Sequence, residues 1–202
     1  MAWPGRLDAR GTHEIVESAA AVVIGHRSFR DFSSYWPERE TAEDASDAER
    51  RFASSYNPLP KVVASRDPSS VQVPERWREN TRVVSDDALS EVSRLKEQAD
   101  GDVLVWGSRD LWTQLWAAGL VDELHLVSGT GVAAGGTPVF PDDPDVALMA
   151  LETRLLPDSA CVLTTYAACM TWGGRSSEKA RVLRLVRGSL GRRSRSRNRP
   201  AS

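Results

Sequence analysis

Four short apolar runs constrain the fold of this chain more than any other feature: AAVVIG (20–25), KVVASR (61–66), TRVVS (81–85) and DVLVWG (102–107). Each is too short for a helix and rich in β-branched residues, so each reads as a buried strand. Helix patterns alternate with them. THEIVESA (12–19) has Thr12 as a cap and Ile15 and Val16 turned inward, and SFRDFSSYW (28–36) is ended by Pro37. The acidic stretch PERETAEDASDAERR is a loop running into a helix near Asp47–Tyr56, and Asp86 or Asp87 caps ALSEVSRLKEQA, with Leu89, Val92 and Leu95 on one face. A further helix covers 109–118, and a fifth strand is DELHLVS (122–128). The runs ALMALETRLLP and ACVLTTYAA flank a Pro157-Asp158-Ser159 turn and predict an antiparallel hairpin. Strands alternating with helices make an α/β fold with a mostly parallel sheet, here closed by a C-terminal antiparallel hairpin.

Composition sets the limits around that core. The chain has 202 residues, of which 41% are hydrophobic, enough for one α/β domain with a tail. The formal net charge of −2 hides a split, because residues 173–202 carry +9 and the rest −11. We therefore expect a domain over 1–170 and a basic, solvated or partly helical tail over 171–202. The tail reads first as an ordinary disordered extension, with attraction to nucleic acid or anionic membrane as the lesser reading. No stretch approaches 18 uninterrupted apolar residues, so no membrane-spanning helix is expected. MAWPGRLDARGTHE lacks the apolar centre of a signal peptide, and two cysteines, Cys161 and Cys169, make no disulfide framework, which together point to the cytoplasm. Three scattered histidines without a Cys-x-x-Cys pair predict no metal site.

The strand ends carry the candidate chemistry. Gly107-Ser108 lies between a strand and a helix, with Arg109 and Asp110 in the first helical turn. Such a turn exposes backbone N–H groups that can hold a phosphate, and it can equally be a plain turn with an N-cap. Gly25-His26-Arg27-Ser28 repeats the arrangement, and Ser65-Arg66 ends a third strand. In a parallel sheet all three reach the carboxyl edge, where α/β proteins bind ligands, and Arg27 with Arg66 can fork a terminal phosphate. Asp122 and Glu123 are adjacent on a strand, point to opposite faces and make no dyad. His125 shares a face with Glu123 and reads as structural, as His26 reads as a surface residue and Trp106, Trp112 and Trp116 read as core.

In order along the chain, VVIGHRSFRDFSSYWP resembles a Gly-Arg-x-Thr-Tyr segment, NPLPKVVASR an Asn-x-x-x-Lys-x-Val-x-Ser strand, GDVLVWGSRDLWTQLWAAGLVDELHL a Gly-Ser helix with a Leu-Val-Asp-Glu-Leu strand, and GGTPVF a Gly-x-Gly-x-x-Leu-Phe turn. This series, over about 20–168, resembles the reductase domain at the C-terminus of the bacterial bifunctional riboflavin deaminase-reductase, in the dihydrofolate reductase superfamily. The resemblance implies an NADPH-dependent reductase of riboflavin biosynthesis, acting like 5-amino-6-(5-phosphoribosylamino)uracil reductase on a heterocyclic small molecule, with a homodimer as a possible assembly. It places Gly25, Arg27 and Ser28 on cofactor phosphates, Ser65 and Arg66 near the adenosine 2′-phosphate, and Gly107, Ser108, Arg109 and Asp110 at the pyrophosphate. No residue stands out as a proton donor. A dihydrofolate reductase-type enzyme is the near alternative.

The chain departs from that pattern at its start. The family opens on an apolar strand central to the sheet, and nothing comparable precedes Ile15, so a first strand is expected to be missing and two strand edges to be left without a neighbour. That absence supports a third reading, a truncated non-catalytic relative or an interaction protein. His26 stands where the family has Arg, Ser28 where it has Thr, Thr130 where it has Pro and Ala134 where it has Gly.

Overall fold

The computed structural model describes residues 13–85, 87–129, 138–140, 147–157 and 160–169. The basic tail, the first dozen residues, Thr130, Ala134 and the glycines of GGTPVF lie outside them. A short helix α1 (His13–Glu17) leads into β1 (Ala19–Gly25), followed by α2 (His26–Ser33), α3 (Trp36–Arg39) and α4 (Asp47–Tyr56). Then come β2 (Lys61–Ala64), two 3-10 turns (Pro68–Ser70 and Glu75–Asn80) and β3 (Thr81–Val84). The chain continues through α5 (Ala88–Gln98), β4 (Asp102–Val105), α6 (Arg109–Ala117), β5 (Glu123–Ser128), β6 (Ala147–Leu155) and β7 (Val162–Cys169).

Strands β1 to β4 form one parallel sheet in the order β3-β2-β1-β4, with Val23 of β1 beside Val62 on one side and Val105 on the other. β1 is central, and Val22, Val23 and Ile24 are fully buried, which explains why its sequence is continuously apolar rather than alternating. The chain's second sheet is antiparallel, in the order β5-β7-β6. The mostly parallel α/β fold with a terminal hairpin is therefore as read from sequence. Among the described residues β4 pairs only with β1 and β5 only with β7, so the sheet is split between β4 and β5. The expected missing first strand would fall among residues that lie outside the described ones. The two halves share a core: Val23, Val103, Leu111, Leu115 and Trp116 pack with Ala168 of β7 and Leu124 of β5.

Aromatic side chains fill the other face of the parallel sheet. Trp36 and Phe52 lie with ring centroids 4.2 Å apart, and Phe32, Tyr56 and Trp77 complete the cluster, all fully or nearly fully buried. Helix α4 starts there on a capping box, in which the Ser46 hydroxyl accepts from Glu49 N and the Glu49 carboxylate accepts from Ser46 N.

Buried charges fasten helices to strands. Lys96 of α5 sits 2.8 Å from the Asp122 carboxylate, which is wholly buried, so Asp122 anchors the start of β5 rather than serving an acid pair. Glu91, also on α5, accepts from Arg94 Nη2 at 2.5 Å and pairs with Arg82 of β3. The Arg94 hydrogen bond, with Arg82 adding to it, holds the Glu91 carboxyl below its ordinary value of 4.5. A depressed carboxyl stabilises the fold above the unfolded value, and that contribution disappears as pH falls through the folded value. Glu91→Gln is therefore expected to cost about 1–2 kcal/mol at pH 7 and to flatten the loss of stability below about pH 4.5. Urea midpoints measured from pH 3 to 7 check both parts, and parallel curves for parent and variant would contradict the assignment.

Candidate active site

The parallel sheet brings the ends of β1, β2 and β4 to one edge, and two of them pass straight into helices. Helix α2 begins at His26 directly after Gly25, which gives no side-chain cap to its first N–H groups. Helix α6 begins at Arg109 after Ser108, again without a side-chain cap. Gly107 and Ser108 both have positive φ, 58° and 53°. These two residues turn the chain sharply into the N-terminus of α6, an end whose first N–H groups lack intrahelical partners. A non-glycine residue in this conformation carries strain, so its surroundings have to hold it.

Two reciprocal hydrogen bonds do so. Ser28 Oγ accepts from Ser108 N at 3.1 Å, and Ser108 Oγ accepts from Gly25 N at 2.8 Å while donating to Trp106 O at 2.9 Å. The strand ends touch so closely that a Cβ on Gly25 would lie 3.3 Å from Ser108, and one on Gly107 3.3 Å from Ser28 Oγ. Ser28 and Ser108 thus form a clasp that fixes one helix N-terminus against the other. His26 extends the connection to β2: Ser65 Oγ donates to Asp67 O at 2.8 Å and lies 3.3 Å from His26 Nδ1. No local pattern signals that role of His26, which depends on a contact across 39 residues.

The expected site residues divide accordingly. Gly25, Ser28, Gly107 and Ser108 meet at the clasp, and Ser65 is buried beside it. Arg27, Arg66 and Asp110 are exposed on the same edge. Arg109 is directed elsewhere. Its Nε donates to Pro138 O at 2.8 Å and its Nη2 to Phe140 O at 3.3 Å, so it holds the segment that follows β5.

A cavity of about 470 Å³ adjoins this edge and runs between β4 and β5. Its walls are mainly apolar, with Leu104, Trp106, Trp112, Leu126 and Leu163 among them, while Ser108 and Arg109 stand in its lining. Trp116 is core as expected, but Trp106 and Trp112 also face this cavity. Glu123 and His125 bring polarity into it from β5. Burial, helped by the charge of Arg154, lowers the His125 pKa below 6.5, so the imidazole is neutral at pH 7. Alternation along β5 made the shared face of Glu123 and His125 legible in the sequence, but not the cavity that the face looks into.

A four-stranded parallel sheet beside a separate antiparallel sheet gives the chain a dihydrofolate reductase-like α/β fold. The chain belongs to the family of the RibD C-terminal domain, which matches residues 3–162. It is 26% identical over 133 residues to the uncharacterized protein YyaP of Bacillus subtilis (strain 168), a match covering 65% of each protein and so just under two-thirds of that relative's length. In fold it resembles RibD of Acinetobacter baumannii, with a TM-score of 0.56 and 13% identity over 83% of this chain and 52% of the other. It also resembles dihydrofolate reductase from Enterococcus faecalis complexed with NADP(H), with a TM-score of 0.51 and 13% identity over 83% of each chain. A third likeness, at a TM-score of 0.52 and 17% identity, is to a diaminohydroxyphosphoribosylaminopyrimidine deaminase/5-amino-6-(5-phosphoribosylamino)uracil reductase from Thermotoga maritima, covering 78% of this chain and 48% of that one. The chain thus spans about half the length of the Acinetobacter and Thermotoga proteins. No helix among the described residues is long and apolar enough to cross a membrane.

Proposed function

We propose that the chain is an NADPH-dependent reductase of a pyrimidine-type heterocycle, resembling 5-amino-6-(5-phosphoribosylamino)uracil reductase. The observation that carries this reading is the pair of uncapped helix N-termini clasped together beside an apolar cavity. The N–H groups at the starts of α2 and α6 would hold the pyrophosphate. Arg27 and Arg66, exposed and without a hydrogen bond or ion pair among the described residues, would receive the 2′-phosphate. The close approach at Gly25 and Gly107 keeps the two helix starts together, because a Cβ at either would press on Ser108 or Ser28 at 3.3 Å. The bound dinucleotide supplies the hydride; the protein binds, orients and excludes water.

Titration with NADPH and NADH, followed by quenching of tryptophan fluorescence, tests the reading, since Trp106 and Trp112 line the cavity. NADPH is expected to bind at least about tenfold more tightly than NADH. Replacing Arg27 and Arg66 together with alanine is expected to remove most of that preference, because charge-assisted hydrogen bonds to a phosphate contribute about 1.5–3 kcal/mol each when well formed. No quenching, or equal affinity for the two dinucleotides, would refute the proposal. Turnover of dihydrofolate in place of a pyrimidine would reassign the substrate.

A further inference from the structure

We propose that Arg109 couples the two parts of the site, so that an anion at the start of α6 and an apolar molecule in the cavity each tighten the binding of the other. The proposal rests on the reductase reading for the anion and deepens it with a link between the helix start and the cavity. One residue serves both. Arg109 is the first residue of α6. Its N–H lies ahead of the first donor inside the helix, Leu111 N, which reaches Ser108 O at 2.9 Å. Its carbonyl is pinned from the next turn by Thr113 Oγ1, which donates to it at 2.7 Å. Its guanidinium spans to Pro138 O at 2.8 Å through Nε and to Phe140 O at 3.3 Å through Nη2.

The strapped segment is a wall of the cavity, since Pro138 and Val139 stand in its lining. Val139 is 51% exposed, so burial does little to hold it in place. Among the described residues only Arg109 donates a hydrogen bond to this segment. The other anchor is again α6. Trp112, three residues after Arg109 and on the same helix face, meets the Phe140 ring edge-to-face with centroids 6.2 Å apart. The position of the wall therefore follows the first turn of α6. Electrostatics gives the link its sign. A cation in the first turn of a helix faces the positive end of the helix dipole, an unfavourable pairing. An anion held by the N–H groups there offsets it, so the guanidinium stays on the two carbonyls and the wall is fixed. A molecule that packs against the fixed wall returns the effect to the helix start, because coupling between two sites is reciprocal.

The test uses the full chain and two probes. Inorganic pyrophosphate supplies the anion without a nicotinamide that could enter the cavity, and the uncharged fluorophore N-phenyl-1-naphthylamine reports on the cavity, whose volume of about 470 Å³ accepts it. Saturating pyrophosphate is expected to tighten fluorophore binding at least about fivefold, the lower end of the usual range for coupled sites. It is also expected to slow backbone hydrogen exchange in the peptide that contains residues 138–140. Arg109→Ala is expected to remove the coupling and the exchange protection together. Arg109→Lys, which keeps the charge and a donor, is expected to restore part of both. Phe140→Leu, which keeps the carbonyl and loses the ring contact with Trp112, is expected to lower the factor without abolishing it. Melting temperature monitors folding; a brace without a part in binding would move that temperature and leave the coupling factor where it was. Failure of either probe to bind the parent, an uncoupled parent, or an undiminished factor in Arg109→Ala would overturn the inference. Should Arg109→Ala fail to fold, the parent's coupling and the Arg109→Lys and Phe140→Leu factors still decide the matter. A preference for NADPH over NADH with no coupling between the two probes would sink this inference and leave the reductase reading standing, and coupling without that preference would do the reverse.

Discussion

Lys61→Met is expected to destabilise the protein by about 3 kcal/mol and to lower its melting temperature by about 6–12 °C. Lys61 opens β2, and its side chain is almost fully buried. Its ammonium donates to the carbonyls of Tyr56, Asn57 and Leu59 at 3.0, 2.9 and 2.8 Å. These carbonyls end α4 and begin the loop after it, where helix geometry leaves oxygens without intrahelical partners. The ammonium also stands 4.9 Å from the Tyr56 ring centre and 4.7 Å from that of Trp77. Burial alone pushes the group down to about 7; the three carbonyls, the helix C-terminus and the two ring faces oppose that shift by favouring the cation. Methionine has similar length and apolarity, so the change isolates the loss of the donor. Asn80 also donates to the carbonyls of Asn57 and Leu59, and Leu59 N donates to Tyr56 O at 3.2 Å, so each oxygen keeps one weaker, uncharged partner when the ammonium is lost. Urea unfolding measures the outcome. A loss under about 1 kcal/mol would mean that Asn80 and entering water replace the ammonium.

The contrast between what the sequence carried and what it did not follows the range of the interactions. Strands β1, β2 and β4 were legible because a parallel strand buried on both faces must be apolar throughout, as AAVVIG and DVLVWG are; β3, read as buried, is instead a half-buried edge strand with Arg82 exposed. The helix starts after Gly25 and Gly107 were legible for the same reason. The partners of those turns were not. Ser108 bonds to Gly25 across 83 residues, and nothing near Ser108 announces the pairing or its left-handed backbone. Arg109 looked like a phosphate ligand because it stands in the first helical turn. The structure gives its guanidinium to Pro138 and Phe140, a choice set by where the segment after β5 returns. Asp122 is adjacent to Glu123 in sequence, but its partner is Lys96, on a helix that sequence alone does not bring near. The cavity between β4 and β5, with Glu123 and His125 in its lining, joins strands distant in sequence and needed three dimensions.

The clasp gives the second large effect. Ser108→Ala removes the acceptor for Gly25 N and the donor to Trp106 O, and Ser28→Ala removes the acceptor for Ser108 N. Each is expected to cost about 1–3 kcal/mol, the range for a part-buried polar group left without its partner. Because both bonds hold the same Gly107-Ser108 turn, the double variant should lose less than the sum of the singles, with a coupling energy of about 0.5–3 kcal/mol. Ser108→Gly separates strain from hydrogen bonding: glycine relieves a left-handed conformation that disfavours other residues by about 1–2 kcal/mol, yet it breaks the same two bonds. Ser108→Gly should therefore be more stable than Ser108→Ala and still be impaired in dinucleotide binding. The affinity for NADPH is expected to fall about tenfold in both Ser108 variants, since a loss of about 1.4 kcal/mol of preorganisation at the two helix starts corresponds to that factor. Lys61→Met, whose lesion lies at the far end of α4, should bind normally per folded molecule. Additive stability losses, or Ser108→Gly binding NADPH as tightly as the parent, would show that the two helix starts hold their positions without the clasp.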